Sequence, residues 1–94
     1  MQKHTLFLVQ VPYANLDKIW NELPLMAQAN DSIIVMGEAL LYIPENILAT
    51  FSHIYCLSNE QNLLNDSVKD RMSIIEYSQF ANLVLQFERS ISLK

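Results

Sequence analysis

Asn30-Asp31-Ser32-Ile33-Ile34-Val35-Met36-Gly37 decides the fold. Three turn-forming polar residues lead into four consecutive apolar ones, and the only glycine of the chain closes the run. Ile33–Met36 shows no alternation of apolar and polar residues, so a strand made from it needs cover on both faces. Leu6–Val9, Ile54–Leu57 and Met72–Ile75 have the same length, and the first two are also nearly continuous. Such runs suit a parallel sheet flanked by helices.

The segments between the runs carry helical spacing. From Asn15 to Asn30, Leu16, Ile19, Trp20 and Leu23 fall at i, i+3, i+4 and i+7, with Met26 and Ala27 in phase. Asn15 is a fitting N-cap, and Pro24 predicts a kink or a restart because it lacks an amide donor. Pro44-Glu45-Asn46 opens a second helix with Ile47, Leu48 and Phe51 facing inward. Ser58-Asn59-Glu60 caps a third that carries Leu63 and Leu64 and ends at Asn65-Asp66-Ser67. The last helix is expected from about Glu76 to Ser90, with Tyr77, Phe80, Ala81, Val84, Phe87 and Ile91 on one stripe. Leu83 and Leu85 lie off that stripe, so its apolar arc is wider than covering one sheet face requires. The expectation is an α/β domain over residues 1–94: a small open parallel four-stranded sheet, order 2-1-3-4, with right-handed crossovers and helices on both faces.

Composition narrows the function. Hydrophobic residues make up 51% of the 94 and charged residues 17%, against about 25% charged in an average soluble domain. Intrinsic disorder is excluded, and the scarcity of charge points to apolar surface buried against partner chains. Six basic and ten acidic residues give a net charge of −4, which argues against direct nucleic-acid binding. With Gly37 alone, neither a dinucleotide fingerprint nor a P-loop can form, since both need several glycines for the backbone to close on phosphate. The lone Cys56 excludes an internal disulfide, a CxxC pair and a multi-cysteine zinc site. No apolar run reaches transmembrane length, and Leu6–Val9 is too short for a signal-peptide core. A cytoplasmic protein is expected.

Chemistry-bearing residues are few. Cys56 is the one strong nucleophile, yet it sits within Ile54-Tyr55-Cys56-Leu57, where a cysteine behaves as a small buried apolar group. His53 is three residues away, an odd separation that places it on the opposite face of a strand. His4 and His53 lack a third ligand at a metal-binding spacing. Open α/β folds place sites at the carboxyl ends of strands, here Gln10 to Tyr13, Gly37-Glu38, Ser58-Asn59-Glu60 and Glu76-Tyr77. Glu38, Glu60 and Glu76 could act there as general acid or base, but no nucleophile or cation accompanies them, and capping or solvation accounts for them as well. Tyr13 and Trp20 are the aromatics best suited to mark an interface, but the helical spacing of Trp20 favours a core position for it. These residues assign no catalytic, cofactor-binding or metal-binding role.

His4-Thr5-Leu6 with Pro12, Asn30-Asp31-Ser32-Ile33-Ile34-Val35 before Gly37, Ile54-Tyr55-Cys56-Leu57-Ser58-Asn59-Glu60, and Ile75-Glu76-Tyr77-Ser78-Gln79-Phe80 with Leu83 together resemble the DsrH/TusB family of bacterial sulfur-relay subunits. The resemblance spans nearly the whole chain, and Ile-Glu-Tyr-x-x-Phe after a short strand is its most specific piece. It implies a DsrE-like fold and a heterohexamer with TusC-like and TusD-like subunits. In such complexes a cysteine of the TusD-like subunit carries persulfide sulfur towards 2-thiolation of the tRNA wobble uridine, and the TusB-like subunit is structural, with no cofactor. Sulfur-oxidiser members carry a cysteine in the first helix; this chain has none before Cys56, so that role does not transfer. The resemblance therefore implies a non-catalytic subunit of a cytoplasmic sulfurtransferase complex, without tRNA binding of its own. The alternatives are a thiol or persulfide carrier using Cys56 and a self-associating α/β protein with no sulfur role.

Overall fold

A computed structural model describes residues 4–94. Five strands, β1 (Thr5–Val9), β2 (Ser32–Val35), β3 (His53–Leu57), β4 (Ser73–Ile75) and β5 (Arg89–Leu93), alternate with four α-helices, α1 (Leu16–Met26), α2 (Glu45–Thr50), α3 (Asp66–Lys69) and α4 (Tyr77–Leu85). Short 3-10 helices at Tyr13–Asn15, Gly37–Leu41 and Ser58–Leu63 follow β1, β2 and β3. The strands form one open, all-parallel sheet in the order β4-β3-β2-β1-β5. The four apolar runs become β1 to β4.

The expected order 2-1-3-4 does not hold. β2 pairs with β1 on one side and β3 on the other, and β3 does not touch β1. All four residues of β2 are buried, Ser32 included. A strand so apolar on both faces is best covered in the interior of a sheet, whereas order 2-1-3-4 would leave it at an edge. The sheet also has five strands instead of four. Arg89–Leu93 leaves the expected last helix and pairs along the full length of β1, from Thr5↔Arg89 to Val9↔Leu93. Its Ser-Ile-Ser-Leu alternation is a strand period, and it lets Ile91 and Leu93 join the core while Ser90 and Ser92 stay exposed.

Three successive crossovers each move one strand away from β1, so right-handedness sets α1, α2 and α3 on the same face. The crossover from β4 to β5 runs back across the sheet, and the same handedness sets α4 on the other face. Helices therefore lie on both faces, three against one. Phe7, Val9, Ile33, Val35, Ile54 and Cys56 point to the first face and form a single core with Leu16, Trp20 and Leu23 of α1 and Ile47 of α2. Leu6, Ile34, Leu57 and Ile75 are also buried, but they alternate onto the second face and stand outside that core.

Local differences from the expected helices have local causes. Pro24 lies in the last turn of α1, which ends two residues later at Met26 without a restart. There the missing amide forfeits the bond to the Trp20 carbonyl, and the helix ends within a turn. Asn15 makes no side-chain cap; the 3-10 turn before it leads directly into α1. Asn65-Asp66-Ser67 begins α3 instead of ending the third helix: the Asn65 side chain accepts hydrogen bonds from the Ser67 amide at 3.1 Å and the Ser67 hydroxyl at 3.1 Å. Ser58–Leu63 forms the 3-10 helix that precedes it.

Candidate functional site

The parallel strands bring Gln10–Tyr13, Gly37-Glu38, Ser58-Asn59-Glu60 and Glu76-Tyr77 to the carboxyl edge of the sheet, as expected from the sequence. The first three loops are tied to one another. Glu38 Oε1 accepts the Tyr13 amide at 2.9 Å, and Glu60 Oε1 accepts the Gly37 amide at 3.2 Å. Gly37 adopts φ +62°, the left-handed region where a Cβ is penalised by the backbone, and no atom lies within 4 Å of the position a Cβ would take. The glycine thus serves the turn out of β2. Glu76 stands apart: it forms a capping box with Gln79, whose side chain accepts the Glu76 amide at 2.8 Å. Two of the three carboxylates fasten loops and the third starts a helix. A shallow groove of about 310 Å³ lined by Gln10, Val11, Pro12, Gly37 and Glu38 lies beside the first pair.

Cys56 is fully buried on the first face, and its Sγ contacts the Leu57 carbonyl at 3.5 Å. Burial pushes the thiol above its ordinary pKa and nearby Glu60 pushes it further, against a smaller opposing pull from Lys69. A nucleophilic cysteine needs the reverse, an exposed and electropositive setting that holds a thiolate. His53 is exposed and occupies the opposite face of β3, so it cannot serve as base to Cys56. His4 sits at the other end of the sheet, with Nδ1 3.9 Å from Asp31 Oδ1. Asp31 itself is buried, and each of its oxygens takes one backbone amide, from Thr5 at 2.9 Å and from Gln28 at 2.8 Å. This carboxylate braces the starts of β1 and β2, a role the sequence reading missed; a lone acidic residue directly before a buried strand is its only signal. Among the described residues, no group of three His, Cys, Asp or Glu side chains could hold a metal ion.

Trp20 is a core residue. It is 2% exposed, and its indole Nε1 donates to the Tyr42 carbonyl at 2.7 Å, tying α1 to the chain that leaves the 3-10 helix after β2. Tyr13 is exposed and, with Leu16, Asp17 and Tyr42, lines a small recess of about 210 Å³. Tyr42 and Leu41 also line a hollow of about 400 Å³ between the Gly37–Leu41 helix, α2 and α3, with Arg71 paired to Glu45. Leu41 and Tyr42, each about half exposed, had no part in the sequence reading.

The outer side of α4 is the most distinctive surface. No residue of α4 is buried. Phe80, Leu83 and Val84 are half-buried, and the Phe80 ring meets Tyr77 edge-to-face at 6.0 Å. Tyr77, Ala81 and Leu85, at i, i+4 and i+8, share the solvent side, where Tyr77 is 67% and Leu85 83% exposed. Residues 77–87 contain no charged side chain. A helix covering one face of a small domain normally carries charges outward, and this one carries an apolar stripe instead. No helix among the described residues is long and apolar enough to cross a membrane.

No family model matches the chain, and comparison with curated proteins and with solved structures finds no match.

Proposed function

We propose that this chain is a DsrH/TusB-like structural subunit of a cytoplasmic sulfur-relay complex that supports 2-thiolation of the tRNA wobble uridine. It has a DsrE-like fold and buries the outer side of α4 against TusC-like and TusD-like sister chains. The sulfur-carrying cysteine belongs to a sister chain. The resemblance of the sequence suggests the complex; the observation that carries the docking role is the uncharged, exposed stripe Tyr77-Ala81-Leu85 on a helix with no buried residue. Aromatic and aliphatic side chains exposed in this way are the material of interface cores.

The division of labour fits the chemistry of Cys56. A persulfide carrier must present its sulfur to a donor and then to an acceptor, and a thiol with no solvent exposure and a raised pKa presents it to neither. The three carboxylates at the sheet edge fasten loops or cap a helix, which supports a scaffold better than an acid–base site.

Co-expression with TusC-like and TusD-like subunits followed by size-exclusion chromatography tests the reading. The chain is expected to co-elute with both, and Leu85→Glu to elute alone while remaining folded. A wild-type chain that elutes free while the other two assemble contradicts the proposal. Unchanged sulfur transfer by a complex containing Cys56→Ser is expected; its loss would move the carrier role to this chain.

A further inference from the structure

β5 is an edge of the sheet, and no described strand pairs with its outer side. The Gln10 amide donates to the Leu93 carbonyl at 2.8 Å, which shows that Leu93 turns its backbone polar groups towards β1. By strand alternation Arg89 and Ile91 do the same, and the amides and carbonyls of Ser90 and Ser92 point away from the sheet. The opposite edge, β4, has three residues, and shortness blunts an edge. β5 has five residues in unbroken register with β1, with neither a proline nor a bulge. Its outward groups remain a template for pairing.

We propose that the outer edge of β5 pairs antiparallel with the same edge of a second copy of this chain, extending the sheet from five strands to ten across a two-fold axis. With Ile91 facing Ile91 on the axis, Ser90 of each copy lies opposite Ser92 of the other. Each such pair exchanges two backbone hydrogen bonds, and every outward group of Ser90 and Ser92 is satisfied. The match is self-complementary: one segment supplies both sides, as a two-fold interface requires. The side chains agree with it. Side chains directly opposite must share a face, and Ser90 and Ser92 do, as do the two copies of Ile91. Arg89 falls opposite Leu93, so the cations of the two strands do not meet. The surface is separate from the α4 stripe, and the proposal stands on backbone direction alone, independent of the sulfur-relay reading. A five-residue strand pair is a small interface, so the dimer is a weak one that forms as concentration rises.

Sedimentation of the full chain from about 1 µM to about 1 mM tests it. The mass is expected to rise from 10.9 kDa towards twice that value. Ser92→Pro removes an outward donor and leaves the β1 ladder intact, so it is expected to weaken dimerisation at least about tenfold with the melting temperature held. Ser92→Lys, which keeps the backbone unchanged and crowds the axis with charge, is expected to do the same and covers the case in which proline disturbs the fold. A wild-type chain that stays monomeric throughout, or a dimer that Ser92→Lys leaves intact, overturns the proposal. Co-elution with sister chains is expected to survive Ser92→Lys, and the homodimer to survive Leu85→Glu, so either reading can fail without the other.

Discussion

On the sheet face that carries Phe7, Ile33 and Cys56, the helices supply Trp20, Leu23 and Ile47, each 2% exposed or less. On the face that carries Leu6, Ile34 and Leu57, the nine residues of α4 do the covering and not one of them is buried. The sheet is also less completely hidden on this side, where Leu8 and Tyr55 are only partly buried. A chain of this length buries only about 60–65% of its unfolded surface, and here the α4 side is the less buried one. The first face holds the domain together. The second offers a helix whose inner side covers the sheet and whose outer side is uncharged, with the apolar stripe Tyr77-Ala81-Leu85 beside polar Ser78, Gln79 and Asn82.

Substitutions on the two faces sharpen the contrast. Trp20→Ala removes the largest buried side chain and leaves the Tyr42 carbonyl without its indole donor; the expected loss of about 3–5 kcal/mol, read by urea denaturation, unfolds much of the population. A matched pair separates the faces directly. Leu23→Ala, fully buried in α1, should cost about 3 kcal/mol, and Leu83→Ala, half-buried in α4, about 1 kcal/mol. Equal losses would mean that α4 is packed as tightly as α1.

The thiol of Cys56 probes the closure of the first face. At pH 8 it should react with an aromatic disulfide reagent only as fast as the domain opens, and at once in denaturant. Its raised pKa also sets a sign. The stabilisation is fully present below the unfolded thiol value of about 8.5 and is lost as pH rises from there through the higher folded value. Wild-type stability should therefore fall across that alkaline range, and Cys56→Ala should remove this part of the slope. The smallest change in stability belongs to Leu85→Glu, within about 0.5 kcal/mol because the side chain is already exposed. That variant should nevertheless abolish co-elution.

The sequence made the strands legible to within about a residue, because Leu6–Val9, Ile33–Met36, Ile54–Leu57 and Met72–Ile75 are short apolar runs bounded by polar turns. It also placed Cys56 and Trp20 in the core and His53 on the other side of β3. β5 was hidden by competing periods. Phe87 and Ile91 are four apart and continue the helical spacing of Phe80 and Val84, while Ser90-Ile91-Ser92-Leu93 alternates, and pairing with β1 decides between them. Strand order was illegible for a similar reason: the runs show which strands are apolar, and only the assembled sheet shows that β2 lies between β1 and β3. The hydrogen bonds from the Tyr13 amide to Glu38 and from the Gly37 amide to Glu60 span 25 and 23 residues, far beyond any local pattern.

Hydrogen exchange across residues 77–87, measured on the chain alone and in the assembled complex with its sister subunits, tests the account most directly. Fast exchange in the free chain that slows at least about tenfold on assembly, with little change in α1, is the predicted result. Equal exchange of α4 in both states would contradict it, because the stripe would then face water in the complex as it does alone.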